Sequence, residues 1–264
     1  MATRMAQLHG NLKIVRQEIL EAISRRPASI DPSHQPRLLA VSKRKPAEDI
    51  LAMYEESSEG GGQRDFGENY VQELEDKAKR LPSDIRWHFI GGLQSNKCKT
   101  LAAIPSLHTV QSVDSVKKAD ILSASRQILM TSSPEVNKLN VFLQVNTSGE
   151  DQKSGLPAVG NPVVDEAPEL LNLAEHILKS CPALSLNGLM TIGSWEASHD
   201  GKENVDFTRL IETRDWLEEK LKSQGMELPL GRLELSMGMS ADFAEAVARG
   251  SDVVRVGTKL FGER

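Results

Sequence analysis

The run Leu39-Ala40-Val41-Ser42-Lys43 reads as a short apolar strand that ends directly on a lysine, with Arg44 and Lys45 behind it. A lysine at the shielded end of such a strand loses solvation. That favours the neutral amine, the form that attacks an aldehyde to give a Schiff base. On position alone the plainer reading is the stronger one: a solvated lysine among fellow surface cations.

Two loops far along the chain weigh against that plainer reading. Leu235-Ser236-Met237-Gly238-Met239-Ser240 passes from a strand through small residues toward a helix, so backbone N–H groups and two hydroxyls converge where a phosphate would sit. Arg255-Val256-Gly257-Thr258 leaves the next strand, and Gly257 lets the backbone come close to an anion. Taken singly, Gly238 is an ordinary turn and Ser240 an ordinary N-cap. Together, and opposite a strand-end lysine, the loops point to a phosphorylated ligand.

Arg255 alternates with Val254 and Val256 and so faces the interior. A buried guanidinium needs an acceptor. A ring nitrogen of a cofactor would serve, and an arginine there can only donate, which keeps that nitrogen unprotonated and the ring a weak electron sink. A carboxylate, Glu234 or Glu68, is the equal alternative.

These residues need a scaffold that brings strand ends together. From Leu38 onward, runs rich in Val, Ile and Leu alternate with segments of helical period, the pattern of βαβ units. Strands are expected at Leu38 to Ser42, Arg64 to Gly67, Arg86 to Gly91, Leu107 to Val110, Leu139 to Asn146, Ser185 to Met190, Arg232 to Ser236 and Val253 to Val256. Helices are expected from Pro46, Asn69, Ser95, Ser115, Ala167, Asn204 and Ser240. Too few residues follow the last strand for an eighth helix. Met5, Leu8, Leu12, Val15, Ile19 and Ile23 make an apolar helical stripe that would cover the seam instead.

The expected fold is α/β, a single (β/α)8 TIM-type barrel over 1–264, with an N-terminal helix in 1–26 completing the outer ring and the barrel in 38–264. In such a barrel, functional groups sit past the C-terminal strand ends, often with a phosphate site after the last two strands. An open doubly wound sheet is the alternative. Ser57 to Gln63 and Ser148 to Pro162 read as surface excursions.

Bulk composition narrows the partners. The chain has 264 residues, 39% hydrophobic and 26% charged, with a net charge of −5. This argues against nucleic-acid and anionic-membrane binding, which need clustered cations. No apolar run approaches the ~20 residues of a membrane span. Cys98 and Cys181 lack a Cys or His partner at metal-ligand spacing, so no metal site is expected and a reducing compartment fits. Glu18 and Glu21 in the N-terminal stripe disfavour a transit peptide, so a cytoplasmic location is expected over a mitochondrial one.

Several segments carry a resemblance. They are Ala40-Val41-Ser42-Lys43, the run Phe66 to Glu73, Trp87 to Gly91 with Leu93 to Lys97, Gly188-Leu189-Met190, Leu235 to Phe243, and Arg255 to Thr258 with Phe261 to Arg264. In this order they resemble the pyridoxal phosphate homeostasis protein family, whose fold is similar to the barrel domain of alanine racemase. The resemblance implies that pyridoxal 5′-phosphate (PLP) is held as an internal aldimine on Lys43. It further implies that Ser236, Gly257 and Thr258 hold the phosphate and that Arg255 meets the ring nitrogen. Asn69 at the ring face, Met190, Gly238 and Ser240 are further expected cofactor contacts. Arg44 departs from the small polar residue usual in the family, and Gly60 to Gly62 looks like an insertion.

His88, between Trp87 and Phe89, reads as a hydrogen-bonded structural histidine rather than a general base. Lys97 and Lys153 are rivals to Lys43 that read as solvated, with Lys153 a contact for a second, loosely held cofactor. The expected function is a vitamin B6 carrier that holds PLP and supplies it to apo PLP-dependent enzymes. The alternative is an amino-acid racemase or decarboxylase using the same aldimine. A racemase needs a second acid or base, and the 264 residues leave none over for the second domain that commonly supplies it. Tyr54 is expected away from the mouth, and a monomer is expected. A third reading, a barrel binding another phosphorylated metabolite, leaves Lys43 incidental.

Overall fold

Strand alternation dictates the architecture of this chain. The computed structural model describes residues 2–30, 35–55, 61–160, 166–198 and 203–263. The strands are β1 (Arg37–Val41), β2 (Asp65–Glu68), β3 (Arg86–Phe89), β4 (Leu107–Val113), β5 (Leu139–Asn146), β6 (Leu156–Pro157), β7 (Leu184–Met190), β8 (Glu234–Ser236) and β9 (Val253–Val256). The helices are α1 (Ala2–Ile23), α2 (Ala47–Tyr54), α3 (Val71–Arg80), α4 (Ser95–Ala102), α5 (Val116–Ser132), α6 (Pro168–Ser180), α7 (Val205–Ser223), α8 (Phe243–Ala248) and α9 (Thr258–Phe261). The ring β1-β2-β3-β4-β5-β7-β8-β9 is parallel throughout and closes between β9 and β1, which rules out the open sheet. β6 is a two-residue addition on the outside of β5.

Each strand buries both faces. Residues such as Ala40, Phe66, Trp87 and Val254 face the helices and join the main core. On the opposite face, Leu39, Phe142, Met190 and Val253 pack with Ile90 inside the barrel. β4 runs three residues past its expected end and shifts register against β5 between Val110 and Val113; Val110 faces the helices, so alternation points Gln111, in the added stretch, into the buried interior.

α1 is docked, with Leu8, Leu12, Val15, Ile19 and Ala22 buried, while Met5 of the expected stripe is exposed. It lies against α2, α8 and α9. Arg4 bonds Asp49 at 2.6 Å and the Phe261 carbonyl at 2.8 Å, and the Asn11 amide donates to the Leu260 carbonyl at 2.8 Å. The last strand is followed by α9 after all, a single turn that the short tail can still form. α3 and α8 begin later than expected, at Val71 and Phe243. Asp242, not Ser240, stands at the α8 N-cap position.

Of the two surface excursions, residues 57–60, with Gly60 of the glycine run, and 161–162 lie outside the described residues. Arg264 of the last resemblance block also lies outside. Gln63 is no surface residue: its buried amide donates to the Leu38 and Asp65 carbonyls.

Candidate functional site at the C-terminal mouth of the barrel

Lys43 follows β1 by two residues and is half-buried at the mouth. The peptides on both sides of it are fixed. Lys77, on α3, donates to the Ser42 carbonyl at 2.8 Å, and Glu73, one turn earlier on the same helix, accepts from the Arg44 N–H at 2.7 Å. Lys77 also pairs with Glu73 and with Glu68, each at 2.7 Å, and the Ser42 hydroxyl donates to the same Glu68 oxygen at 2.7 Å.

The turn needs such support. Arg44 holds φ at 60°, the one non-glycine residue among those described in the left-handed region, where a side chain costs about 1–2 kcal/mol. Its guanidinium donates to the Tyr70 hydroxyl at 2.9 Å and lies 5.4 Å from that ring's centre.

Arg255 points into the barrel and is 4% exposed. One of its terminal nitrogens donates to the Ser236 carbonyl and hydroxyl, both at 2.8 Å, and the other to the Thr191 carbonyl at 2.6 Å. Neither carboxylate expected as its partner reaches it. Glu234 pairs with Arg37 at the start of β1, two strands away across β9, and Glu68 with Lys77 on the helix that follows its own strand. Burial pushes the guanidinium down to about 10, partly countered by the charge of Asp242, and it stays protonated at neutral pH. A buried cation with no carboxylate partner among the described residues is costly unless a ligand supplies an acceptor.

From Arg255 a hydrogen-bonded chain runs down the barrel axis. The Ser236 hydroxyl donates to Gln111 Oε1 at 2.7 Å, the Gln111 amide lies 3.4 Å from His88 Nδ1, and His88 Nε2 meets Asp65 at 3.0 Å. Each group donates to the next, so His88 is structural, as its setting in the sequence suggests. Burial by itself would raise the Asp65 carboxyl, but the hydrogen bonds from Arg86 and His88 outweigh it and hold the group well below the carboxylate range. Gln111 and Thr191 were not legible as site residues; a polar side chain within an apolar strand run was the available signal.

The two expected phosphate loops meet. The Arg255 N–H donates to the Gly238 carbonyl at 3.0 Å, and the Gly257 N–H to the Ser240 hydroxyl at 3.1 Å. Gly238 has φ +92°, and a Cβ there would come within 2.5 Å of the Ala246 Cβ. A Cβ on Gly257 would meet only Val41, at an ordinary 3.5 Å, so packing does not demand this glycine. Thr258 opens α9 and is exposed. Ser236 is fully buried with its hydroxyl engaged below the loops. Met190 ends β7 opposite Ser236. Asn69 is half-buried, and its side-chain oxygen is buried without a partner. The Asn69 backbone fills the place of a side chain at Gly91, 2.2 Å from where its Cβ would be.

A cleft of about 300 Å³ opens at the mouth between β3, β5 and β7, lined by Gln144, Lys153, Thr191 and Gly193 among others. Lys153 is half-buried there, donating to the Gly193 carbonyl at 2.9 Å and pairing with Glu150, whereas Lys97 is an exposed residue of α4. A larger hollow, about 990 Å³, lies at the opposite end around Arg86, His108 and Arg126, away from the strand ends that carry the site. Tyr54 also lies toward that end, its hydroxyl on Asp84.

Fold and mouth together define a barrel of the alanine racemase type, and the family model "Alanine racemase, N-terminal domain" matches residues 19–264. The chain belongs to this family and, within it, to the pyridoxal phosphate homeostasis proteins. The human protein of that name is 45% identical over 258 residues, 96% of this chain and 85% of the relative. PipY of Synechococcus elongatus PCC7942, solved with PLP bound, superposes with a TM-score of 0.68 at 30% identity, covering 97% of this chain and all of PipY. Alanine racemase of Corynebacterium glutamicum shares the fold alone, with a TM-score of 0.64 at 14% identity over 98% of this chain and 62% of the racemase. No helix of the described residues is long and apolar enough to cross a membrane.

Proposed function

We propose that this chain binds PLP at the C-terminal mouth of the barrel, covalently through Lys43 as an aldimine, and serves PLP homeostasis by holding the cofactor and supplying it to apo enzymes. The observation that carries the reading is Arg255. It is a buried guanidinium paired with no carboxylate among the described residues, on the strand beside β1 and in register with Leu39, four residues before Lys43. The partnerless oxygen of Asn69 and the joined glycine loops fit the same occupant. The names of the relatives and PLP-bound PipY support it.

PLP supplies an aldehyde for a lysine amine and a pyridine ring that can take up electrons. This chain's residues would restrain that ring chemistry. Gly238, Ser240, Gly257 and Thr258 would receive the phosphate, with Met190 and Asn69 about the ring, while Ser236, expected at the phosphate, lies beneath the loops bonded to Gln111 and Arg255. Arg255 would donate to the ring nitrogen and could not protonate it. The peptides around Lys43 are fixed by α3, so the amine is placed without a moving element.

Borohydride reduction of the loaded protein, followed by peptide mapping, tests the attachment. The label is expected on Lys43 and lost in Lys43→Ala; a label that stays in that variant sinks the assignment. Transfer to an apo PLP enzyme tests delivery. Rapid incorporation of solvent deuterium at Cα of added amino acids would instead favour the racemase reading.

A further inference from the structure

On the outer ring, α5 and α6 bring three unlike metal-binding groups together. Asp120 lies in the second turn of α5, His176 lies near the end of α6, and Cys181 is the residue that caps α6. His176 Nε2 is 2.5 Å from Asp120 Oδ1, and Cys181 Sγ is 4.0 Å from the same oxygen. The three ligand atoms all lie within 4.8 Å of one another. Spacing along the chain hides this. His176 and Cys181 are five residues apart, off the usual helical pairing of three or four, and the backbone at the C-cap (φ −115°, ψ 72°) leaves the helix so that the thiol turns back beside the imidazole.

A hydrogen-bonded pair between helices accounts for Asp120 and His176, and the thiol also meets the Ser123 side chain, so the case for a cation rests on the convergence of the three groups. Cys181 is 2% exposed, and at 4.0 Å a thiol is a poor donor. A shared cation would engage all three at once. One carboxylate oxygen, one imidazole nitrogen and one sulfur suit a borderline-soft ion with tetrahedral preference, not Ca²⁺ or Mg²⁺, which take oxygen ligands. Around zinc such ligands stand roughly 3.3–3.6 Å apart, given bonds of about 2.0–2.3 Å. The observed 2.5 and 4.0 Å bracket that range, and Asp120, with its side chain 54% exposed, is free to rotate between them.

We propose that Asp120, His176 and Cys181 form a Zn²⁺ site that ties α5 to α6, with solvent water as the fourth ligand. Binding uses neutral imidazole, the carboxylate and the thiolate, and the thiol proton is released to solvent. The site stands outside the barrel mouth and does not depend on the cofactor reading.

Cobalt provides the test, because a thiolate ligand gives Co²⁺ a charge-transfer band that nitrogen and oxygen ligands do not. Untagged full-length protein titrated with Co²⁺ is expected to develop that band at a single ion per chain and to lose it on addition of Zn²⁺. Cys98→Ser should behave as the parent chain does, and Cys181→Ser should give no thiolate band. Asp120→Asn and His176→Gln, both at solvent-accessible positions, should weaken Zn²⁺ binding by about tenfold or more in a competition titration. A parent chain without the thiolate band, a band that persists in Cys181→Ser, or Zn²⁺ binding unchanged in the two accessible-site variants overturns the proposal.

Discussion

Lys77 Nζ donates to the carbonyl oxygen of Ser42 at 2.8 Å, so a helix formed 35 residues later holds the peptide that leads into Lys43. The same ammonium joins Glu68 and Glu73, and Glu73 in turn holds the Arg44 N–H. The left-handed turn at Arg44 is thus clamped from both ends by one ion cluster.

Breaking the clamp at its centre should be severe. Lys77→Met leaves the wholly buried Glu68 without its cation, at a cost of about 3–5 kcal/mol above the pH of about 7 where Glu68 ionises, seen there as a lower Tm. Glu73→Gln is milder, since it keeps an acceptor but weakens its bond to Arg44. PLP titration by absorbance should show affinity down about fivefold, for a loss near 1 kcal/mol, with Tm little changed. Unaltered affinity in Glu73→Gln would mean that the clamp does not position Lys43.

Glu68 should make stability depend on pH. Burial raises its carboxyl from 4.5 to about 7, against the opposing pull of Lys77 and the Ser42 hydroxyl. The folded chain therefore keeps a proton that the unfolded chain loses. The stability this lends is complete below 4.5 and gone once pH has risen through about 7. Thermal melts across this window should show Tm falling more steeply in the parent chain than in Glu68→Gln. Parallel curves would contradict the raised carboxyl.

The two loop glycines should separate packing from ligand contact. Gly238→Ala forces a side chain into positive φ and against Ala246, and should cost about 1–3 kcal/mol by thermal melt. Gly257→Ala meets only an ordinary contact with Val41 and should melt like the parent chain. If Gly257 lets the backbone reach the phosphate, the same substitution lowers PLP affinity. Equal affinity would remove Gly257 from the site.

Arg255→Lys retains the charge but not the planar fork that spans the Ser236 and Thr191 carbonyls. Loss of one charged hydrogen bond, about 1.5–3 kcal/mol, should weaken PLP binding roughly tenfold or more and shift the absorption of the bound cofactor. An unchanged spectrum at unchanged affinity would place the ring elsewhere.

Sequence by itself determined the eight barrel strands, the docked first helix and the positions of Lys43, Arg255 and the two glycine-containing loops after the last strands. Those features rest on local periodicity and on which residue follows a strand, and both are written along the chain. Tertiary structure alone decided which polar groups meet. The expected choice of Glu234 or Glu68 for Arg255 failed because Arg37 and Lys77 reach those carboxylates first. Gln111 joined the axial chain because β4 runs on past Val110 and meets Ser236 across the closed barrel. Asp120 meets His176 and Cys181 only because α5 and α6 pack side by side on the closed ring. Partners that lie 35 to 144 residues apart, as in Lys77 with Ser42 or Gln111 with Arg255 through Ser236, follow from barrel closure, which no local pattern encodes.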